Sequence, residues 1–466
     1  MFEDKKDINQ SEQLVKRYEN NRQHYFKLEE FIAITDYYAA TNNYKNALEV
    51  NDTAEIFYPS SFELKTIKAD LHIRNNDIEE AEKILENIEF SSDVIADVYV
   101  LQGEIYTKKH QHEMAEKAFD KAIESCEDKD VIVDLICDFL MSDHQYKLAK
   151  KYLEKAQKLC NNPDLMYWLA KCYEQEYEYR KAASVYETMV KMFPLDENLW
   201  DELGDSYMLM AEYENAIKAF DFRLAVDNTN AKETLINKAE CFSLLGKNDD
   251  ARKIYNKILA TEKGCLDAKF GIAKSYEREE MYDVAEKLYL DIVEEDANYL
   301  DAYCGLGVIY SRKNELETAE KFMRKTLTGN EIVPVFLVEL SKILLSQEKV
   351  NEAQITMEKF INLDICKHDY RVWLLYAEII ARNDIEKAIE ILDKKFDENF
   401  YHIAELCYHL AYYHFLNDDI SQCVVNIERG LELNENLISP FFDLCPEAML
   451  NEQIMNVYLS FKMKKQ

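Results

Sequence analysis

Small residues recur through this chain in two series that share one period, and that recurrence limits the fold more than any other feature. The first series reads Thr35, Ala69, Gly103, Cys137, Ala170, Gly204, Ala239, Ala273, Gly307, Ser341, Ala377 and Ala411. Its spacings are 34, 34, 34, 33, 34, 35, 34, 34, 34, 36 and 34. The second reads Ala47, Ala81, Ala115, Ala149, Ala182, Ala216, Ala251, Ala285, Ala319, Ala353, Ala388 and Cys423. Three residues after each member of the first series stand Tyr38, His72, Tyr106, Leu140, Tyr173, Tyr207, Phe242, Tyr276, Tyr310, Leu344, Ile380 and His414, nearly all aromatic or aliphatic. A period of this length accommodates two antiparallel helices, brought close where their small residues meet. One such hairpin cannot bury its own apolar stripe, so neighbouring hairpins must stack on it.

The stretch Trp200-Asp-Glu-Leu203-Gly204-Asp-Ser-Tyr207, followed by Ala216 and Phe220, carries the pattern most fully. This W-x2-L-G-x2-Y run with Ala and Phe downstream resembles the tetratricopeptide repeat. The resemblance implies an all-α chain, a right-handed α-solenoid superhelix of tandem helical hairpins. Twelve repeats are expected over 28–437, with a capping helix in 1–27 and capping helices in 438–466. The 9 glycines and 6 prolines leave few helix breakers, and Pro59 and Pro194 fall where second helices should stop. Ala388 comes one residue early, so the turn inside 370–403 is expected to be short, while two extra residues in 334–369, including Lys367 and His368, predict a longer loop. No Gly-, Ser- or Pro-rich linker interrupts the series, which predicts one continuous array. Ile8, Leu14, Val15, Tyr18, Tyr25 and Phe26 suggest an amphipathic cover for the first hairpin. Phe441, Phe442, Leu444, Met449, Leu450, Ile454, Val457, Tyr458, Leu459 and Phe461 are expected to seal the last.

The formal charge of −33 argues against nucleic acid or an anionic membrane as a partner, because both require basic surface. No run of 18 apolar residues is present and the N-terminal residues do not read as a secretory signal. The 11 cysteines are scattered without a C-x-x-C pair, which fits reduced thiols and a cytoplasmic location. His110 and His112 lie in a polar turn, and residues two apart do not share a helical face. His402, Cys407, His409 and His414 crowd the last repeat, but His414 sits at a packing position. Gly305-Leu306-Gly307 lacks the preceding strand and the third glycine of a dinucleotide fingerprint. The expectation is therefore no metal, no cofactor and no catalytic residue.

In proteins of the family it resembles, first helices line the inner, concave surface. Directly after the small position stand Asp36, Asp70, Glu104, Asp138, Lys171, Asp205 and Glu240, acidic in all but one case. The last five repeats carry Lys274, Val308, Lys342, Glu378 and Tyr412 there, and four residues earlier Phe270, Cys304, Val338, Leu374 and Tyr408. The groove is thus expected to change from acidic to apolar along its length. Net charge follows, at −20 for 1–230 and −13 for 231–466. Another acidic row (Glu29, Glu63, Asp97, Asp164, Glu233, Asp267, Asp301, Glu405) is explained by the helix dipole, which favours carboxylates in a first turn. A clamp for C-terminal carboxylates, known in the family, would need Lys and Asn where acids stand here. RNA reading of the pentatricopeptide kind would need a basic groove. The functional expectation is a non-enzymatic scaffold that takes a basic, or mixed basic and apolar, protein segment. The alternative is a self-assembling protein, a homo-oligomer through its C-terminal half.

Overall fold

The computed structural model describes residues 5–20, 25–88, 95–126, 128–157, 162–227, 229, 231–327, 333–362 and 369–464, and it divides into two compact units, 1–231 and 232–466. The first unit opens with α1 (Lys5–Asn20) and continues in six helical hairpins. These are α2 (Leu28–Ala40) with α3 (Tyr44–Phe57), α4 (Phe62–Arg74) with α5 (Ile78–Glu86), and α6 (Ile95–Lys108) with α7 (His112–Ser125). They continue as α8 (Lys129–Ser142) with α9 (Tyr146–Gln157), α10 (Pro163–Gln175) with α11 (Tyr179–Met192), and α12 (Glu197–Leu209) with α13 (Tyr213–Val226).

The second unit holds α14 (Lys232–Leu244) with α15 (Asn248–Thr261), α16 (Leu266–Arg278) with α17 (Tyr282–Glu295), and α18 (Leu300–Arg312) with α19 (Leu316–Thr326). Next come α20 (Pro334–Ser346) with α21 (Val350–Ile361), α22 (Tyr370–Ala381) with α23 (Ile385–Lys395), and α24 (Ala404–Leu416) with α25 (Ile420–Asn434). It closes with α26 (Ile438–Leu444) and α27 (Glu452–Lys464). Among the described residues there is no strand, and the fold is an α-solenoid of stacked hairpins.

Both small series lie inside helices and are buried throughout. Their smallness has a visible cause in three hairpins. A Cβ on Gly204 would stand 2.3 Å from Cε1 of Phe220, one on Gly103 2.3 Å from Phe119, and one on Gly307 2.4 Å from Sδ of Met323. The ring or thioether of the second helix fills the space that the glycine leaves. Burial of such side chains is the main stabilising term, at roughly 1.5–3 kcal/mol for each large apolar group.

Four of the tyrosines that follow three residues later tie their hairpin to the helix before it. Tyr173 donates its hydroxyl proton to Glu154 on α9 at 2.8 Å, Tyr207 to Glu187 on α11 at 2.7 Å, and Tyr310 to Glu286 on α17 at 2.6 Å. Tyr38 does the same to Glu19 at 3.0 Å, and Glu19 lies on α1. The N-terminal helix therefore stands in for a missing second helix, with Val15 and Tyr18 buried against the first hairpin.

Turns within the hairpins repeat one device. Asn42, Asn76, His110, His144, Tyr177, Ala211, Gly246, Glu280, Asn314, Glu348 and Asp418 all have positive φ, between 56° and 74°. The next residue returns its N–H to a carbonyl five residues back, as Asn43 does to Tyr38 and Glu212 to Tyr207, which satisfies the helix end. The turn between α22 and α23 has no such residue; there Asn383 and Asp384 both donate to the Ile380 carbonyl. The early position of Ala388 predicts this shorter turn. Ala211 has φ 58°, a conformation that costs a residue with a Cβ about 1 kcal/mol or more. Ala211→Gly is expected to raise stability by about that amount, read as a higher denaturation midpoint with an unchanged slope.

At the C-terminal end the expected seal is partial. Phe441, Phe442 and Ile454 are buried, whereas Leu444, Met449, Leu450 and Leu459 face solvent, Leu450 at 88%. The helix α27 offers one face to α25, and residues off that face have nothing to cover. The predicted loop residues Lys367 and His368, and the side chain of Ile8, lie outside the described residues.

Candidate functional site on the first helices

In the first unit, the acidic row belongs to the middle of α2, α4, α6, α8 and α12, and the structure sorts its members by their surroundings. Asp36 and Asp138 reach solvent. Asp70 is held by Arg74 one turn on, at 2.9 Å. Lys171, which interrupts the row, is taken by Glu174 at 3.0 Å and Glu202 at 2.5 Å. Glu104 is not on the surface as expected: it is only 6% exposed, because α4 and α8 close over the middle of α6 from both sides.

These carboxyls feel one another. Loss of water at the crowded face raises Asp36 above its ordinary value, and the neighbouring Asp70 adds to the shift against the pull of Arg74. Burial above all, helped by Asp70 and Asp138 and opposed by Arg74 and Lys108, lifts Glu104 to about 8. Asp134 is raised by partial burial and then by Asp138 and Asp164. Consecutive first helices therefore present a ladder of mutually repelling acids.

A cleft of about 400 Å³ opens on this ladder, lined by Asp70, Arg74, Glu104, Lys108, Leu135, Asp138, Phe139 and Asp143 among others. Both of its bases are engaged, Arg74 with Asp70 and Lys108 with Asp143. Among the described residues, no hydrogen bond or ion pair is made by the carboxyl of Glu104 or Asp138. The repeat pattern marks the acids but not Arg74, Lys108, Leu135 and Asp143. The spacing of four residues from Asp70 to Arg74, and from Glu104 to Lys108, was the available signal.

In the second unit, Glu240 is not a free acid. Lys274 lies 3.4 Å from it and Arg278 3.9 Å. Phe270 is half-buried between the rings of Tyr289 and Tyr299, at centroid distances of 5.6 and 5.7 Å, with Lys274 over its face. It opens with Cys304 onto a cleft of about 710 Å³ that also carries Lys274, Glu277, Glu339 and Lys342. This cleft is therefore mixed, not simply apolar, because Glu277 and Glu339, outside the two groove positions of the repeat, also line it. Val338 and Leu374 are half-buried against the core. Tyr408 is corrected outright: it is 4% exposed, it packs against Gly430, and its hydroxyl donates to the Asn434 carbonyl at 3.0 Å. An apolar side chain on a first helix can serve the hairpin behind it as well as the groove before it, and here packing claims three of the five.

His110 occupies a positive-φ turn position and His112 opens α7; His414 is buried with Nδ1 3.9 Å from Asp419. Among the described residues, no three His, Cys, Asp or Glu side chains are grouped to hold a metal ion. None of the described helices is long and apolar enough to cross a membrane.

Family models described as tetratricopeptide repeat match residues 96–129, 164–196 and 300–328, which correspond to α6/α7, α10/α11 and α18/α19. No curated protein sequence matches the chain. Among solved structures, a tetratricopeptide repeat protein from Parabacteroides merdae ATCC 43184 is 17% identical, covering 53% of this chain and 97% of that one, with a TM-score of 0.46. A chain of the APC/C hetero-tetramer Cut9-Hcn1 is 14% identical over 89% of each chain, with a TM-score of 0.43. YrrB, described as a TPR protein with an unusual peptide-binding site, is 14% identical over 40% of this chain and 94% of its own, with a TM-score of 0.33.

Proposed function

The chain is a tetratricopeptide-repeat protein, and on that premise we propose that it is a non-enzymatic scaffold whose first-helix faces bind segments of other proteins. For the first unit the partner is a basic segment. The observation that carries this reading is the pair Asp36 and Asp138, exposed acids without an ion-pair partner, on either side of the buried Glu104, which Arg74 and Lys108 offset only in part. Carboxylates held side by side repel weakly across water but act together on a cationic ligand, which chiefly speeds association. The mixed cleft around Phe270 in the second unit fits a segment with both apolar and charged side chains. Free thiols at Cys137, Cys172, Cys407 and Cys423, all buried, support a reducing, cytoplasmic setting.

A blocked lysine- and arginine-rich peptide tests the reading. It should bind the full chain with an affinity that falls as salt rises, since screening acts over about 8 Å at physiological ionic strength. Asp36→Asn with Asp138→Asn should weaken binding at low salt by about threefold to tenfold and flatten the salt dependence, leaving helicity unchanged. Identical salt dependence in the variant would show that these acids are only solvated surface.

A further inference from the structure

The cleft between α4, α6 and α8 has a composition that the general scaffold reading does not explain. It gathers four carboxyls, Asp70, Glu104, Asp138 and Asp143, against two bases. Each base is consumed by one carboxylate, Arg74 by Asp70 and Lys108 by Asp143. What remains is Glu104, 94% withdrawn from water by its 6% exposure, lining the cleft with no partner, and Asp138 at the cleft's open side. The Glu104 carboxyl oxygens are not sealed off but open onto the cleft, where little water reaches them and an incoming cation would. The cleft wall also carries Leu135, whose side chain is largely exposed, and Phe139. An apolar wall beside unpaired acids suits a flat, weakly hydrated cation on an aliphatic stem.

We propose that this cleft holds the side chain of one arginine from a bound protein segment, its guanidinium set against Glu104 and Asp138 and its stem against Leu135. The proposal rests on the reading of the first unit as a face for basic segments and adds the residue that anchors them. Capture is coupled to a proton. In the free protein Glu104 holds its proton up to about pH 8, because burial and the acids Asp70 and Asp138 outweigh Arg74 and Lys108. Seating the guanidinium supplies the missing counter-charge, and Glu104 releases that proton to solvent. The other polar groups facing the cleft are Asn42, Tyr44 from α3, Ser142 and Asp143 beyond α8. Tyr44 donates a hydrogen bond to Asn42, and Asp143 is paired with Lys108.

The test is calorimetric titration of the full chain with a blocked nonapeptide carrying one arginine among neutral residues, and with its citrulline and lysine counterparts. Affinity for the arginine peptide should rise about tenfold per pH unit between pH 6 and 8 and level off above, one pKa unit being a factor of ten. Heats measured in two buffers should show close to one proton released. Glu104→Gln should abolish both the slope and the release, whereas Glu124→Gln, on the exposed side of α7 and outside the cleft, should keep both. Citrulline should bind without a slope. Equal, pH-independent binding of the arginine peptide to the native chain and to Glu104→Gln would overturn the anchor while leaving the acidic-face reading intact. Equal binding of lysine and arginine with the same slope would overturn the preference for guanidinium. Displacement of the peptide by magnesium chloride beyond its ionic strength would make the cleft a metal site. Failure of every basic peptide to bind at any pH would end both proposals.

Discussion

Glu104→Gln is expected to make the protein more stable at pH 8 and to remove the part of the ligand-free chain's pH dependence that this one carboxyl contributes. The carboxyl of Glu104 has an ordinary value of 4.5 and is lifted by burial to about 8 in the folded chain. Between those values the folded state binds more protons than the unfolded one, so stability falls as pH rises. The contribution is fully present below 4.5 and is lost as pH passes through about 8. Taken at face value, the shift corresponds to a loss of at most about 3–4 kcal/mol from pH 5 to pH 8, using 1.36 kcal/mol per unit. Glutamine has the size of the protonated acid and no charge to bury, so it should match the native chain near pH 5 and exceed it at pH 8. Denaturant midpoints for both proteins at pH 5, 6.5 and 8 give the comparison. Parallel pH profiles would mean that water or movement of α4 relieves the carboxyl, and the cleft would lose its main support.

Gly204→Leu should damage the first unit severely but locally. Even a bare Cβ at this position would lie 2.3 Å from the ring of Phe220, which is itself fully buried and cannot swing away. Overpacking of this kind costs about 1–3 kcal/mol, and a branched side chain against an aromatic ring belongs at the upper end or above. Because each hairpin in a stack contacts chiefly its neighbours, the damage should decay with distance along the array. Hydrogen exchange is expected to show loosened amides in α10 to α13 and near-native protection in α2 to α5. Phe220→Leu should relieve part of the cost in the double variant, a coupling of about 0.5–3 kcal/mol that a double-mutant cycle isolates. Uniform loosening of the whole unit would mean that it opens as one body and not hairpin by hairpin.

Period and residue size sufficed to predict the hairpins. Helix pairing at this scale is decided by whether two backbones can approach, and Gly204 opposite Phe220 or Ala69 within α4 reports that choice directly in the chain. The short turn between α22 and α23 was legible for a similar reason: one missing residue removes the left-handed position. The division into two compact units was not legible, since no linker marks residue 231. Nor were the burial of Tyr408 and the exposure of Leu450, because alternation along one helix does not say which neighbour covers it.

The cleft shows most sharply where sequence stops. Asp70 and Arg74 stand four apart, and so do Glu104 and Lys108, a spacing that favours an ion pair along a helix. The first pair forms at 2.9 Å; in the second, Lys108 turns instead to Asp143, beyond the next first helix, and leaves Glu104 alone. Local spacing sets which partners a side chain can reach within its own helix. Which of them it takes depends on a competing carboxylate brought alongside by the stacking of hairpins 35 residues apart, and only the folded chain makes that contact.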